Sequence, residues 1–242
     1  MLAGLLLLAA GSALGALAPN VSVLLATRVV EGMGFLCAVL PAPGLLRQRV
    51  QHAARLSRAL GWWGAYMPLG TALALLLGVP LLSVAGWRWA WVLLAGLSLL
   101  AAAGLAKWVA PDVPSPAVAS SPASALGARL RRTLQSGGPW LVALAFFLYS
   151  GQWLAVVGFL PTIYHQAGYT GTTVALLSAL AAGINMAGNI GAGWWLARGA
   201  RPGAVLALAY IAMGVGSWVA FTAVGYPVVQ YLAVLVFSGV GG

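Results

Sequence analysis

Eight apolar runs divide the chain, at roughly 1–18, 20–45, 60–83, 88–108, 139–162, 172–196, 203–223 and 226–242. Each is close to the ~20 residues that a helix needs to cross a ~30 Å hydrocarbon core. The breaks carry turn chemistry: "APN" at 18–20, "AGWRW" at 85–89, "HQAGYTG" at 165–171, "RGARPG" at 198–203 and "VGYP" at 224–227. Hydrophobic residues make up 62% of the 242 and charged residues 6%. A soluble domain carries about a quarter charged residues, so this chain cannot cover itself with polar surface. Lipid offers no partners to backbone amides and carbonyls, and the runs are therefore expected as helices. The expected fold class is an all-α integral membrane protein with about eight transmembrane helices. The first run, "MLAGLLLLAAGSALGALA", has the core and the A-x-A-like end of a signal peptide. It lacks a basic leader and is followed at once by Pro19, so a retained helix is expected.

Lys and Arg number 12 against 2 Asp and Glu, a net charge of +10. In a soluble protein that excess would raise the question of nucleic acid. Here the basic residues fall in alternate connecting segments. Arg47, Arg49, Arg55 and Arg58 follow the second run, Lys107, Arg129, Arg131 and Arg132 the fourth, and Arg198 and Arg201 the sixth; the other connections hold only Arg88. The positive-inside rule makes the basic segments cytoplasmic and places both chain ends on that side, in what is expected to be a bacterial cytoplasmic (inner) membrane. The lipid bilayer, and no nucleic acid, is the partner this implies. The single Cys37 lies in an apolar run, so neither an internal disulfide nor a metal cluster is expected, and no cofactor is called for.

Residues 111–138, "PDVPSPAVASSPASALGARLRRTLQSGG", are rich in Pro, Ser and Ala. Their start reads as a flexible linker. Their end, around 124–135, is open to two readings: a short basic helix on an anionic leaflet, or a solvated linker whose arginines mark topology. The chain is thus expected to divide into 1–110, a cytoplasmic linker 111–138, and 139–242, with four runs on each side. Both ends are apolar, without the flanks that usually anchor spans, and a fragment of a longer gene is expected. An internal echo agrees. "NVSVLLATRVVEGMGF", 20–35, aligns with "PVVQYLAVLVFSGVGG", 227–242, matching Leu25 and Ala26 to Leu232 and Ala233, Val29 to Val236, and Gly32 and Gly34 to Gly239 and Gly241. Repeated halves are common in transporters.

"GWRWAW", 86–91, resembles the loop into the sixth helix of the major facilitator superfamily. "ATRVVEGMG", 26–34, resembles that family's fourth helix, and "GWWGAYMPLGTALA", 61–74, its fifth. The linker falls where the family's central cytoplasmic loop lies. The resemblance covers essentially the whole chain, as helices three to ten of a twelve-helix, two-bundle fold. It implies a secondary active transporter that moves a small solute by alternating access. There are departures. The signature between helices two and three would precede Met1, and its counterpart "GWWLARGAR", 193–201, lacks the expected Asp. Pro68 stands in the fifth helix without the full glycine-rich antiporter pattern. "FLPTIYHQAGYT", 159–170, and "NMAGNIGAGWWLARG", 185–199, are similar to cyanate-permease-like members. No G-x-x-x-x-G-K-[ST] loop occurs, which favours a gradient over ATP as the energy source.

Arg28 and Glu31 stand about 12 and 16 Å along a helix from Asn20, near mid-membrane. Each charge costs roughly 2.5–3.5 kcal/mol there, so neither should face lipid. Three residues apart, they share a helix face and can touch. Two readings stand: a cavity group, with Arg28 for an anionic substrate and Glu31 as counter-charge or proton carrier, or a structural ion pair. Ser178, Ala182, Asn185 and Asn189 form a small, polar stripe in the sixth run, and Tyr149, Gln152 and Trp153 a patch in the fifth. Tyr66 and Thr71 mark the third run, while the first, fourth and seventh hold little beyond Ser98 and Ser217. By the resemblance, those three are outer, supporting helices. The candidate substrate or coupling residues are Arg28, Glu31, Tyr149, Gln152, Asn185 and Asn189, with a small molecule as substrate and a proton or ion as coupling partner. For the two asparagines, interhelical hydrogen bonding is the competing reading. Trp87, Trp89, Trp140, Trp194 and Trp195 are expected in an interfacial belt. An intramembrane enzyme would need a nucleophile with a base, paired carboxylates or metal ligands in reach, and none is evident. It remains an alternative only with residues outside this chain, beside a non-transporting scaffold or an inactive truncated product.

Overall fold

The computed structural model describes residues 1–109, 123–223 and 225–242, in which helices are the only regular elements. In order they are α1 (Leu2–Ala16), α2 (Val21–Val39), α3 (Pro41–Arg49), α4 (Ala53–Gly64), α5 (Tyr66–Trp108), α6 (Ala123–Gln135), α7 (Gly137–Val157), α8 (Leu160–Gln166), α9 (Gly171–Ala197), α10 (Pro202–Thr222) and α11 (Pro227–Val240). The expected start of the linker, 111–122, lies outside the described residues.

Local chemistry sets the boundaries. The Asn20 side chain caps α2 by accepting from the Val23 amide at 2.9 Å, replacing a partner that the first turn lacks. Pro41, Pro202 and Pro227 open α3, α10 and α11, where a missing amide hydrogen costs nothing. The 43 residues of α5 would extend about 65 Å if straight, twice the hydrocarbon core. The helix breaks at Gly86, whose φ of 76° and ψ of 171° suit a residue without a Cβ. Each arm is then about 30 Å long, enough for one crossing.

Five helical stretches are long and apolar enough to cross a membrane: Val21–Arg49, Ala53–Trp108, Gly137–Gln166, Gly171–Ala197 and Pro202–Thr222. Leu2–Ala16 and Pro227–Val240 are shorter apolar helices. With Ala53–Trp108 divided at Gly86, the eight runs read from the sequence all fall on helices. One connection differs. The stretch bearing Arg47, Arg49, Arg55 and Arg58 was expected as a loop, but α3 and α4 carry these arginines, leaving 50–52 between the helices. The residues of 53–58 are good helix formers, and the run beyond them simply continues their turns.

Packing follows two groups. In the first, α1 lies against α2 and α5. In the second, α9 packs on α11, and α10 on α11, around a core of Val156, Val157, Leu160, Ala181, Ala182, Met213 and Phe237. The groups meet where α9 runs beside α4 and α5. Large apolar side chains such as Val29, Leu100, Phe147 and Ile211 cover much of the outside, as lipid requires. Trp87, Trp89, Trp140, Trp194 and Trp195 are exposed as well.

Candidate functional site

α2 brings Arg28 and Glu31 into contact. Arg28 Nη1 donates to Glu31 Oε2 in an ion pair whose side chains are 25% and 15% exposed. The pair is enclosed by its neighbours. Ser12 of α1 donates to Glu31 Oε1. Arg28 Nη2 donates to Thr27 Oγ1 at 3.2 Å and stands 3.5 Å from the Gly11 carbonyl. The guanidinium carbon lies 3.6 Å from the centroid of the Trp91 ring on the second arm of α5. Pairing, hydrogen bonds and the ring face all offset the cost of charge in lipid. α1 makes room with two glycines: a Cβ on Gly11 would fall 2.7 Å from Glu31 Cγ, and one on Gly15 would run into Arg28 Nη2. Among the described residues, the buried Arg28 Nε has no partner.

A second, uncharged group lies on α7, α9 and α11. Asn185 is 1% exposed and donates to the Ser238 carbonyl at 2.7 Å. Asn189 donates to the Asn185 carbonyl and side-chain oxygen, at 3.2 and 3.0 Å. Tyr149 of α7 sets its hydroxyl beside Asn185. Among the described residues, the buried hydroxyls of Ser178 and Ser238 have no partner. Gln152 faces elsewhere, onto a cleft of about 560 Å³ lined also by Phe147, Leu148, Gly151 and Tyr210, with its amide 3.5 Å from Ser217 Oγ. The six candidates thus form a charged pair, an uncharged trio and an isolated glutamine. Among the described residues, neither a hydrogen bond nor an ion pair joins these sets. Asn189 reaches furthest toward α4: a Cβ on Gly64 would strike its Oδ1, and one on Gly61 would lie 2.6 Å from its carbonyl.

With this arrangement in view, comparison with known proteins is decisive on one point. The family model of the Major Facilitator Superfamily matches residues 1–242. The chain belongs to that family. No curated protein and no solved structure matches it. As a major facilitator protein it is a membrane transporter, resident in the lipid bilayer and acting on small molecules, in a family of transporters rather than enzymes. Among the described residues no group of three or more His, Cys, Asp or Glu could hold a metal ion.

The sequence missed three side chains that shape this major facilitator site. Ser12 lies in a run read as featureless, yet the small residues Gly4, Gly11 and Gly15 around it mark a face built for close approach. Trp91 reads only as the end of "GWRWAW", the loop into the sixth helix, and instead stacks on Arg28. Tyr210, in a run read as supporting, donates to the Ala145 carbonyl of α7.

Asn185→Ala is expected to lower stability by about 0.6–2 kcal/mol, the worth of one interhelical hydrogen bond in a membrane protein. Thermal unfolding in detergent measures it. An unchanged midpoint would mean that the bond to Ser238 carries no weight.

Proposed function

We propose that this major facilitator protein performs secondary active transport of a small anion by alternating access. Residues 1–110 and 139–242 act as two bundles, and 111–138 joins them on the cytoplasmic side of a bacterial inner membrane, with both chain ends on that side. The reading rests above all on Arg28, a mid-span guanidinium with a buried Nε unpartnered among the described residues and a carboxylate as its ion-pair partner. Glu31, itself an anionic oxygen group, marks a place where such a group is accommodated. When Glu31 takes up a proton its hold on Arg28 weakens, and the guanidinium becomes free for a solute anion. One proton is thereby coupled to one anion. Asn185, Asn189, Tyr149 and Gln152 supply neutral hydrogen-bonding groups on the other bundle.

A second reading is favoured by Ser12, Gly11 and Trp91, which surround the pair from α1 and α5: the pair orders the bundle of residues 1–110 and the solute binds elsewhere. An uptake screen of small anions in proteoliposomes, with and without an inward proton gradient, tests the proposal. Uptake that rises severalfold with the gradient is the expected result. Gradient-independent uptake of neutral solutes alone would overturn both the anion and the proton coupling.

A further inference from the structure

We infer that α6 (Ala123–Gln135) is a docking surface for the anionic phospholipid headgroups of the leaflet beside it. Its sequence, "ASALGARLRRTLQ", places Leu130 and Leu134 four residues apart, on one stripe of the helix. Arg129, Arg131 and Arg132 fall on both flanks of that stripe and behind it, with no acidic residue between 123 and 135. Among the described residues, the helix that α6 packs against is its neighbour α7, and Leu130 and Leu134 are 55% and 61% exposed. Among the described residues, this face at Leu130 and Leu134 is left largely open.

Two observations fix where the face lies. Ser136 alone separates α6 from α7, so the end of α6 is held at the end of a membrane-crossing helix. Trp140 of α7 then donates from Nε1 to the Leu134 carbonyl at 2.8 Å, tying the last turn of α6 to a residue type that settles at the membrane–water interface. A helix held at this depth, with leucines along one side and arginines flanking them, has the layout of an interfacial helix. The leucines enter the boundary of headgroups and acyl chains while the guanidinium groups reach the phosphates. An uncharged leaflet would engage the leucines alone. Three arginines and no acidic residue within 123–135 commit the surface to an anionic one.

Each basic side chain near an anionic leaflet strengthens association by about fivefold, so removing two weakens it by about 25-fold. The test is hydrogen exchange of the full chain in nanodiscs, one set of phosphatidylcholine and one containing phosphatidylglycerol. The α6 amides are expected to exchange at least about fivefold more slowly in the anionic discs, and 0.5 M salt should erase the difference. R131Q/R132Q should lose it too, while the amides of α9 stay protected and report an intact fold. Equal slow exchange in both lipids would mean that protein or uncharged lipid covers the face. Equal fast exchange would mean that it stands in water. Either result overturns the inference, as does an R131Q/R132Q chain that keeps the lipid difference.

Discussion

Glu31→Gln is expected to cut gradient-driven uptake at least about a hundredfold, the equivalent of ~2.7 kcal/mol in the limiting step, while the chain still inserts. Glutamine fills the same space and can accept from Ser12 as Glu31 does. What it cannot do is carry the proton or neutralise Arg28. The guanidinium keeps its seat on Trp91 and beside the Gly11 carbonyl, so the helices retain most of their packing, but the coupling is gone. Arg28→Ala goes further. It leaves a carboxylate buried without its cation, a change that costs about 3–5 kcal/mol in a fully buried pair. Partial exposure of both side chains puts the expected loss at the lower end. Uptake by reconstituted protein and thermal stability in detergent, measured on the same preparations, separate the two readings of the pair. If it only orders the bundle, stability falls and uptake by the surviving folded protein persists. Wild-type uptake in both variants would remove the pair from the transport cycle.

The second large effect is expected at the seam between the two groups of helices. A Cβ on Gly61 would lie 2.6 Å from the Asn189 carbonyl oxygen and 3.1 Å from Gly193 Cα, and one on Gly193 would lie 2.8 Å from the Ser57 carbonyl oxygen. These neighbours are backbone atoms, which no side-chain rotation can move aside. Gly61→Ala should therefore cost about 1–3 kcal/mol, as overpacking does, and Gly61→Val should cost more. Because Gly61 and Gly193 press on one another, the double alanine variant should lose less than the sum of the single variants. Gly70→Ala, where an added Cβ meets open space, is the control and should leave the unfolding midpoint equal or raised, since Ala favours a helix over Gly. A Gly61→Val chain as stable as the parent would show that α4 and α9 do not meet closely in the membrane.

The fold was largely legible because its cause is simple: lipid accepts helices, and a run of about 20 apolar residues is one crossing. The turn between the third and fourth runs was legible too, since the glycine of "GWRWAW" is the residue that adopts the positive φ. The arginine-bearing stretch after the second run was misread as loop, because charge marks the membrane boundary and not the end of a helix. Around the candidate site, Arg28 touching Glu31 followed from their spacing on one helix. Ser12 and Trp91 did not, because they reach the pair from α1 and α5, and single-sequence periodicity carries no information about which helix lies alongside. Asn185 and Asn189 were found as a stripe, but the partner of Asn185 on α11, the Ser238 carbonyl, is a backbone group that every residue possesses.

The Gly86 break has a mechanical consequence. One arm of α5 meets α9, where a Cβ on Gly183 would lie 3.5 Å from that of Ala72, and the other brings Trp91 over Arg28, with a single residue as the corner. A long loop would let two such arms swing independently. A one-residue corner leaves only the two backbone dihedrals of Gly86 between the arms, and the second arm is tied beside it by Arg88, which donates to the Ala18 carbonyl at 3.3 Å. The seat on α9 and the ring above the guanidinium are thus separated by one glycine corner within a single continuous helix.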